Sequence, residues 1–247
     1  MQAWLRLTLT FGSLTKYMTV IYRKMQFIKE LKVQAYDKLD TEGHKVDIHG
    51  WMSRSFGDVV RRSVAHLDRG SELVVVEVGT WKGLSATKMA EVLKEEGFTN
   101  FNIICIDTWL GAPEFWTWGM KDPTRGDSLK RVNGYPTVFH TFTKNVKAMG
   151  LEEYVAPLPL SSTQAADVLG HYKIAADLIY IDASHEYGPV TSDLESFYPL
   201  LKKGCVMLGD DYSAQWKGVI KAVNEFAAGR EVDLRIDDVV WSLKKPV

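Results

Sequence analysis

From Leu73 onward, short, almost wholly apolar runs alternate with longer stretches in which apolar residues recur at helical spacing. The runs LVVVEV (73–78), FNIICI (101–106), YVAPL (154–158), DLIYI (177–181) and CVMLG (205–209) lack the in-out alternation of a half-exposed strand. They therefore read as strands covered on both faces. Between them lie KGLSATKMAEVLKEEG, TVFHTFTKNVKAMG, SSTQAADVLGHY and EYGPVTSDLESFYPLLKKG, and YSAQWKGVIKAVNEFAAG follows the last run. These read as helices, three of the first four ending at or beside a glycine that can form a C-cap. The chain closes with VDLRI and VVWSL, separated only by Asp237 and Asp238, and so short a link permits only an antiparallel pair. The pattern predicts an α/β fold with a Rossmann-like, doubly wound sheet, mostly parallel and ending in an antiparallel hairpin.

Upstream, residues 14–68 read as two or three helices, MSRSFGDVVRRSVAHL being the clearest. This divides the chain into an N-terminal helical extension (1–70) and an α/β domain (71–247). One long stretch, 109–136, has no periodicity, yet Trp109, Phe115, Trp116 and Trp118 lie within its first ten residues. A segment of this length with that much apolar surface is expected to act as a lid over a substrate. The first 28 residues are apolar, but Arg6, Lys16, Arg23 and Lys24 interrupt them before the ~20 residues a spanning helix needs. No membrane span is expected there, and the arm, with Trp4, Leu5, Leu7, Leu9 and Phe11, suits a homodimer contact through the N-terminal helices.

Thirty basic against thirty-one acidic residues give a formal charge of −1, so no basic field favours nucleic acid. Cys105 and Cys205, the two cysteines, each lie in a strand run and read as buried thiols, which fits a reducing, cytoplasmic setting.

The candidate chemistry gathers where strands end. Glu77-Val-Gly79-Thr80-Trp-Lys-Gly83-Leu-Ser85 spans the turn from the first strand into a helix. Its glycines let backbone approach a ligand, and the helix N-terminus supplies free amides. The spacing is not GxGxxG, so it disfavours a dinucleotide pyrophosphate and suits a smaller, zwitterionic group. Asp107, with Thr108 beside it, ends the second strand and can accept hydrogen bonds from both hydroxyls of a ribose. Asp182, His185 and the pair Asp210-Asp211 end two further strands, and three convergent carboxylates suit a hard divalent cation such as Mg2+. Each also has a structural reading: Asp182 as a cap for a helix near Glu186, Asp210 and Asp211 for one near Tyr212, and Ser161 and Ser162 for the helix that follows them.

EVGTWKG resembles motif I of class I S-adenosylmethionine-dependent methyltransferases. IDASHEYGPVTSDLESFYPLLKKGCVMLGDDY is similar to metal-dependent small-molecule O-methyltransferases of the antibiotic-sugar and, more distantly, catechol types. The resemblance covers roughly Leu73 to Tyr212. It implies that Glu77, Gly79, Thr80, Gly83, Ser85, Asp107, Thr108, Ser161, Ser162 and Asp182 contact S-adenosylmethionine, and that Asp182, Asp210 and Asp211 bind the metal. It also implies that the methyl group goes to a hydroxyl of a small-molecule acceptor, a sugar or an aromatic. The catechol enzymes have asparagine at the position of Asp211 and a catalytic lysine at the position of His185; here His185, with Asp182, is the expected catalytic group, and a neutral imidazole can take a hydroxyl proton near pH 7. An NAD-dependent oxidoreductase and a non-catalytic binding protein are the alternatives the fold leaves open.

Overall fold

The computed structural model describes residues 11–117 and 129–247. The expectations placed on Trp4, Leu5, Arg6, Leu7, Leu9 and Trp118 lie outside them. Every strand run forms a strand: β1 (Leu73–Val78), β2 (Phe101–Ile106), β5 (Val155–Leu158), β6 (Ala176–Ile181) and β7 (Leu201–Gly209), with β8 (Leu234–Asp237) and β9 (Val240–Lys244) as the terminal hairpin. The order across the sheet is β5-β2-β1-β6-β7-β9-β8, parallel except for β9 and its partners. Every residue of β1, β2, β5 and β6 is buried, the physical reason these strands are uniformly apolar.

The helices are α1 (Phe11–Tyr36), α2 (Phe56–Val64), α3 (Leu84–Glu95), a short α4 (Pro113–Thr117), α5 (Val138–Ala148), α6 (Ser162–His171), α7 (Tyr187–Phe197) and α8 (Lys217–Arg230). Two details depart from the pattern. Leu201 to Gly204 belong to β7 and not to the preceding helix, because Leu201 pairs with Ala176 across a register irregularity. The helix expected near Tyr212 begins only at Lys217. Within 109–136 the chain is not wholly irregular: besides α4 it forms a small hairpin of β3 (Arg131–Val132) and β4 (Tyr135–Pro136).

Chain order runs outward from β1 to β2 and β5 on one side and, after returning, to β6 and β7 on the other. The carboxyl ends of β1 and β6 therefore flank the crevice where open α/β sheets bind ligands. Gly79, at φ 90°, is required there, since a Cβ would lie 2.0 Å from the Asp182 carbonyl oxygen. Gly209 has the same function one strand further, where a Cβ would meet the Trp241 ring at 2.3 Å and the Ile181 carbonyl oxygen at 2.5 Å.

The N-terminal part is tied into this domain. Phe27 of α1 stacks on Tyr172 at 4.0 Å, and Lys24 pairs with Glu72 at 2.7 Å. The connection from α1 to α2 is fixed at both ends of the crevice. At one end the Asn145 side chain accepts from the Asp47 amide (2.9 Å), donates to the carbonyls of Asp47 (2.7 Å) and Lys82 (3.0 Å) and meets His44 Nε2 (2.9 Å). At the other, Ser53 Oγ donates to Asp238 (2.9 Å), Ser55 Oγ donates to the Asp237 carbonyl (2.8 Å), and the Ser53 amide donates to Asp210.

Asn145→Ala removes the buried end of this strap and should cost about 1–3 kcal/mol. In a chain of this size that lowers Tm by roughly 2–4 °C per kcal/mol. Amide exchange should accelerate over residues 44–50; exchange and Tm matching the parent would show that the strap is held from its other end alone.

Candidate active site

The four sequence-predicted clusters fall on one edge, just beyond β1, β2, β6 and β7, and each is held by its neighbours. The Gly79 amide donates to the Ile106 carbonyl (2.8 Å), the Asp182 amide to Val78 (2.8 Å) and the Asp210 amide to Ile181 (3.3 Å), so the strand ladder continues into the functional loops.

Glu77 is fully buried. One carboxylate oxygen accepts from Ser85 Oγ, the other from Thr80 Oγ1 (3.1 Å) and Cys105 Sγ (3.3 Å). Burial, opposed by these hydrogen bonds, raises its carboxyl to about 7. The side chains of Glu77, Thr80 and Ser85 thus form one hydrogen-bonded network at the base of the loop. Gly83, at φ 96°, is the N-cap of α3, and no side chain caps that helix, so its first amides are not taken up by a capping side chain.

Asp107 is half-buried at the tip of β2. Oδ2 accepts from the Trp81 amide (2.8 Å) and Oδ1 from the Trp109 amide (2.7 Å). The amides of Thr80 and Thr108 also bond this carboxylate, so Asp107 ties the first loop to the turn after β2. Burial nonetheless raises its carboxyl above the usual range. Thr108 Oγ1 accepts from the Leu110 amide (3.2 Å) and supports that turn. Trp109 is core, 1% exposed, with Nε1 donating to the Trp81 carbonyl (2.7 Å). Trp81, which sequence reasoning passed over, stacks on Phe115 at 4.8 Å and 7° and links the first loop to the aromatic segment.

Ser161 is the N-cap of α6, its Oγ accepting from the Gln164 amide at 3.4 Å, and Ser162 hydrogen-bonds the buried Asp193. Both hydroxyls therefore have partners within the fold.

The acidic cluster is not a set of helix caps. α7 starts at Tyr187 with Glu186 as its N-cap and no side-chain cap bond, and α8 starts at Lys217, well past Asp211. Instead Asp182, His185 and Asp211 each place a possible ligand atom within 4.8 Å of the others. His185 Nε2 lies 2.7 Å from Asp211 Oδ2, and Tyr180 Oη donates to Asp182 Oδ2 at 2.9 Å. Tyr180 was legible in principle, since residues two apart share a strand face. Asp210 is 9% exposed, its carboxylate accepts from the amides of Asp211 (2.8 Å) and Ser53, and it lines the same small pocket as Asp182 and Asp211. Burial first, then the charges of Asp210 and Asp211, push the Asp182 carboxyl up to about 8. An unbalanced acidic site with an imidazole beside it is the donor chemistry a divalent cation fits.

A family model described as methyltransferase domain matches residues 76–212. An uncharacterized protein of Acanthamoeba polyphaga mimivirus is 23% identical over 172 residues, which are 68% of this chain and 66% of that protein's length. Among solved structures, the O-methyltransferase NovP superposes with a TM-score of 0.60 at 17% identity, covering 91% of this chain and 100% of NovP. An O-methyltransferase from Bacillus cereus in complex with SAH superposes with a TM-score of 0.51 at 13% identity, covering 90% of each chain.

The shifted carboxyls set a pH dependence. Asp182 titrates at its ordinary 3.8 when unfolded and at about 8 when folded; Glu77 moves from 4.5 to about 7. Between those values the unfolded chain is ionised while the folded one keeps its protons, so stability must fall as pH rises from about 4 to about 8. Asp182→Asn keeps an acceptor for Tyr180 but cannot ionise. It should raise Tm at pH 8 by several degrees, at roughly 2–4 °C per kcal/mol, and flatten the decline measured by calorimetry between pH 5 and 8. A parental slope would mean that Asp182 ionises freely in the fold.

Proposed function

The chain belongs to the methyltransferase-domain family, and from that premise we propose that it transfers the methyl group of S-adenosylmethionine to a hydroxyl of a small-molecule acceptor, a sugar or an aromatic, with a divalent cation, Mg2+ by the sequence reading, at the acidic edge. The observation that carries this reading is the juxtaposition of two features at one sheet edge: a first loop shaped by Gly79 and Gly83 with Asp107 beside it, and Asp182, His185 and Asp211 converging beyond the ends of β6 and β7. The names of NovP and the Bacillus cereus enzyme, both O-methyltransferases and the latter bound to SAH, support the reaction and the cofactor.

In this reading the open amides of α3 and the loop backbone receive the methionine end of the cofactor, and Asp107 receives its ribose. Asp182, Asp210 and Asp211, which line one small pocket, would hold the cation. When bound, the cation supplies positive charge that lowers the pKa of the acceptor hydroxyl. His185, with Nε2–H directed at Asp211, accepts that hydroxyl's proton at its other ring nitrogen, Nδ1, and the rest of the protein's contribution is alignment of the oxygen with the sulfonium methyl.

Residues 109–136 act as the lid of this reading: Trp81 stacks on Phe115, and the Arg131 guanidinium sits 4.9 Å from the Trp116 ring centre. The exposed Met18, Tyr22, Met25 and Val33 of α1 support a homodimer through the N-terminal helices. Among the described residues no helix is long and apolar enough to cross a membrane. The buried free thiols of Cys105 and Cys205 support a cytoplasmic setting.

EDTA should abolish turnover while the Kd for S-adenosylhomocysteine, by calorimetry, moves less than threefold. Asp107→Ala should weaken that Kd at least tenfold, since charge-assisted bonds contribute roughly 1.5–3 kcal/mol each. Full activity in EDTA would sink the cation; unchanged cofactor binding in folded Asp107→Ala would sink the ribose contact.

A further inference from the structure

His185 lies on the loop between β6 and α7, half-exposed, where an imidazole has two free torsions unless something fixes them. Two elements do so. Asp211 Oδ2 lies 2.7 Å from Nε2 and sets the direction of one ring nitrogen. The Trp216 indole lies against the imidazole face, with centroids 3.9 Å apart and planes 19° from parallel, and sets the plane of the ring. The indole's own backbone is fixed. Trp216 is the residue before α8, its amide donates to the Ser213 carbonyl (2.9 Å), and its carbonyl accepts from Val219 (3.0 Å). Two residues on, a Cβ at Gly218 would meet the His185 carbonyl oxygen at 2.5 Å and the Tyr187 amide nitrogen at 2.6 Å. The start of α8 therefore sits directly on the backbone of the His185 loop while its tryptophan covers the ring.

We infer that Trp216 is a positioning residue for this reaction: it holds the His185 imidazole in the one plane from which its nitrogen meets the acceptor hydroxyl. The inference rests on His185 being the base proposed above. It assigns a function to an aromatic that lies five residues past the acidic pair. A base turned out of line loses catalytic effectiveness while its chemistry stays intact, and misplacement by about 1 Å can cost on the order of 10²-fold.

The test compares Trp216→Phe, which keeps a flat aromatic face, with Trp216→Leu, which keeps apolar bulk without the plane. Trp216→Leu should lower kcat 10- to 100-fold with KM for S-adenosylmethionine and the Kd for S-adenosylhomocysteine within threefold of the parent. Trp216→Phe should recover kcat to within about threefold. In the NMR spectrum of the parent the His185 ring protons should lie upfield from the indole ring current, and that shift should vanish in Trp216→Leu. Exogenous imidazole should restore turnover to His185→Ala with saturation, and that rescue should weaken at least tenfold in His185→Ala/Trp216→Leu. Parental kcat in folded Trp216→Leu, or equal imidazole rescue with and without the indole, would overturn the positioning function while leaving the base intact. Parental kcat in His185→Ala would overturn the base itself, and the inference with it.

Discussion

The site depends on the contact between the carboxyl ends of β1 and β6, where Gly79 and the Asp182 carbonyl approach too closely for any side chain between them. Strand order reverses at this boundary, and a reversal opens a crevice because the two loops leave the sheet in opposite directions. A larger residue at 79 would push the strand ends apart, and the first loop would no longer share a crevice with the acidic one. Gly209 repeats the constraint between β6 and β7, with the Trp241 indole filling the space and its Nε1 donating to the Asp210 carbonyl at 3.1 Å. The positions of Asp182, Asp210 and Asp211 thus follow from backbone packing before any ligand is considered.

On that frame the edge carries several carboxylates at low exposure, an arrangement that costs stability unless each is compensated. Compensation is local for Glu77 and Asp107, whose oxygens take hydroxyl, thiol and amide donors from the adjoining loops. It is incomplete at Asp182, which has the Tyr180 hydroxyl on one oxygen and two further acids nearby. The same burial that disfavours Asp182 as an anion makes the site receptive to positive charge, so the least compensated carboxyl is also the most useful one.

The N-terminal segment belongs to this edge as much as to the helices it joins. Asn145 holds it beside the first loop, and Lys82, nearly buried, pairs with Asp47 there at 2.7 Å. At the far end it meets Asp210 and the terminal hairpin. The N-terminal extension is thus hydrogen-bonded both to Asn145 and to the terminal hairpin.

The sequence by itself determined the α/β class, the strands and the loops that carry the chemistry, because uniform burial forces uniform apolarity and the chain must become polar where it leaves the sheet. Gly79, Asp107, Asp182, His185 and Asp211 were legible for that reason. What a polar side chain at a strand end touches was not legible, because that depends on elements distant in sequence. Tertiary structure joined Glu77, Thr80 and Ser85 in one network, used Ser161 as a cap, brought the Ser53 amide onto Asp210 and brought Trp216 onto His185. Periodicity assigns a residue to a face or an end of one element; only the packing of elements against one another decides whether it meets a neighbour, a loop backbone or the open crevice.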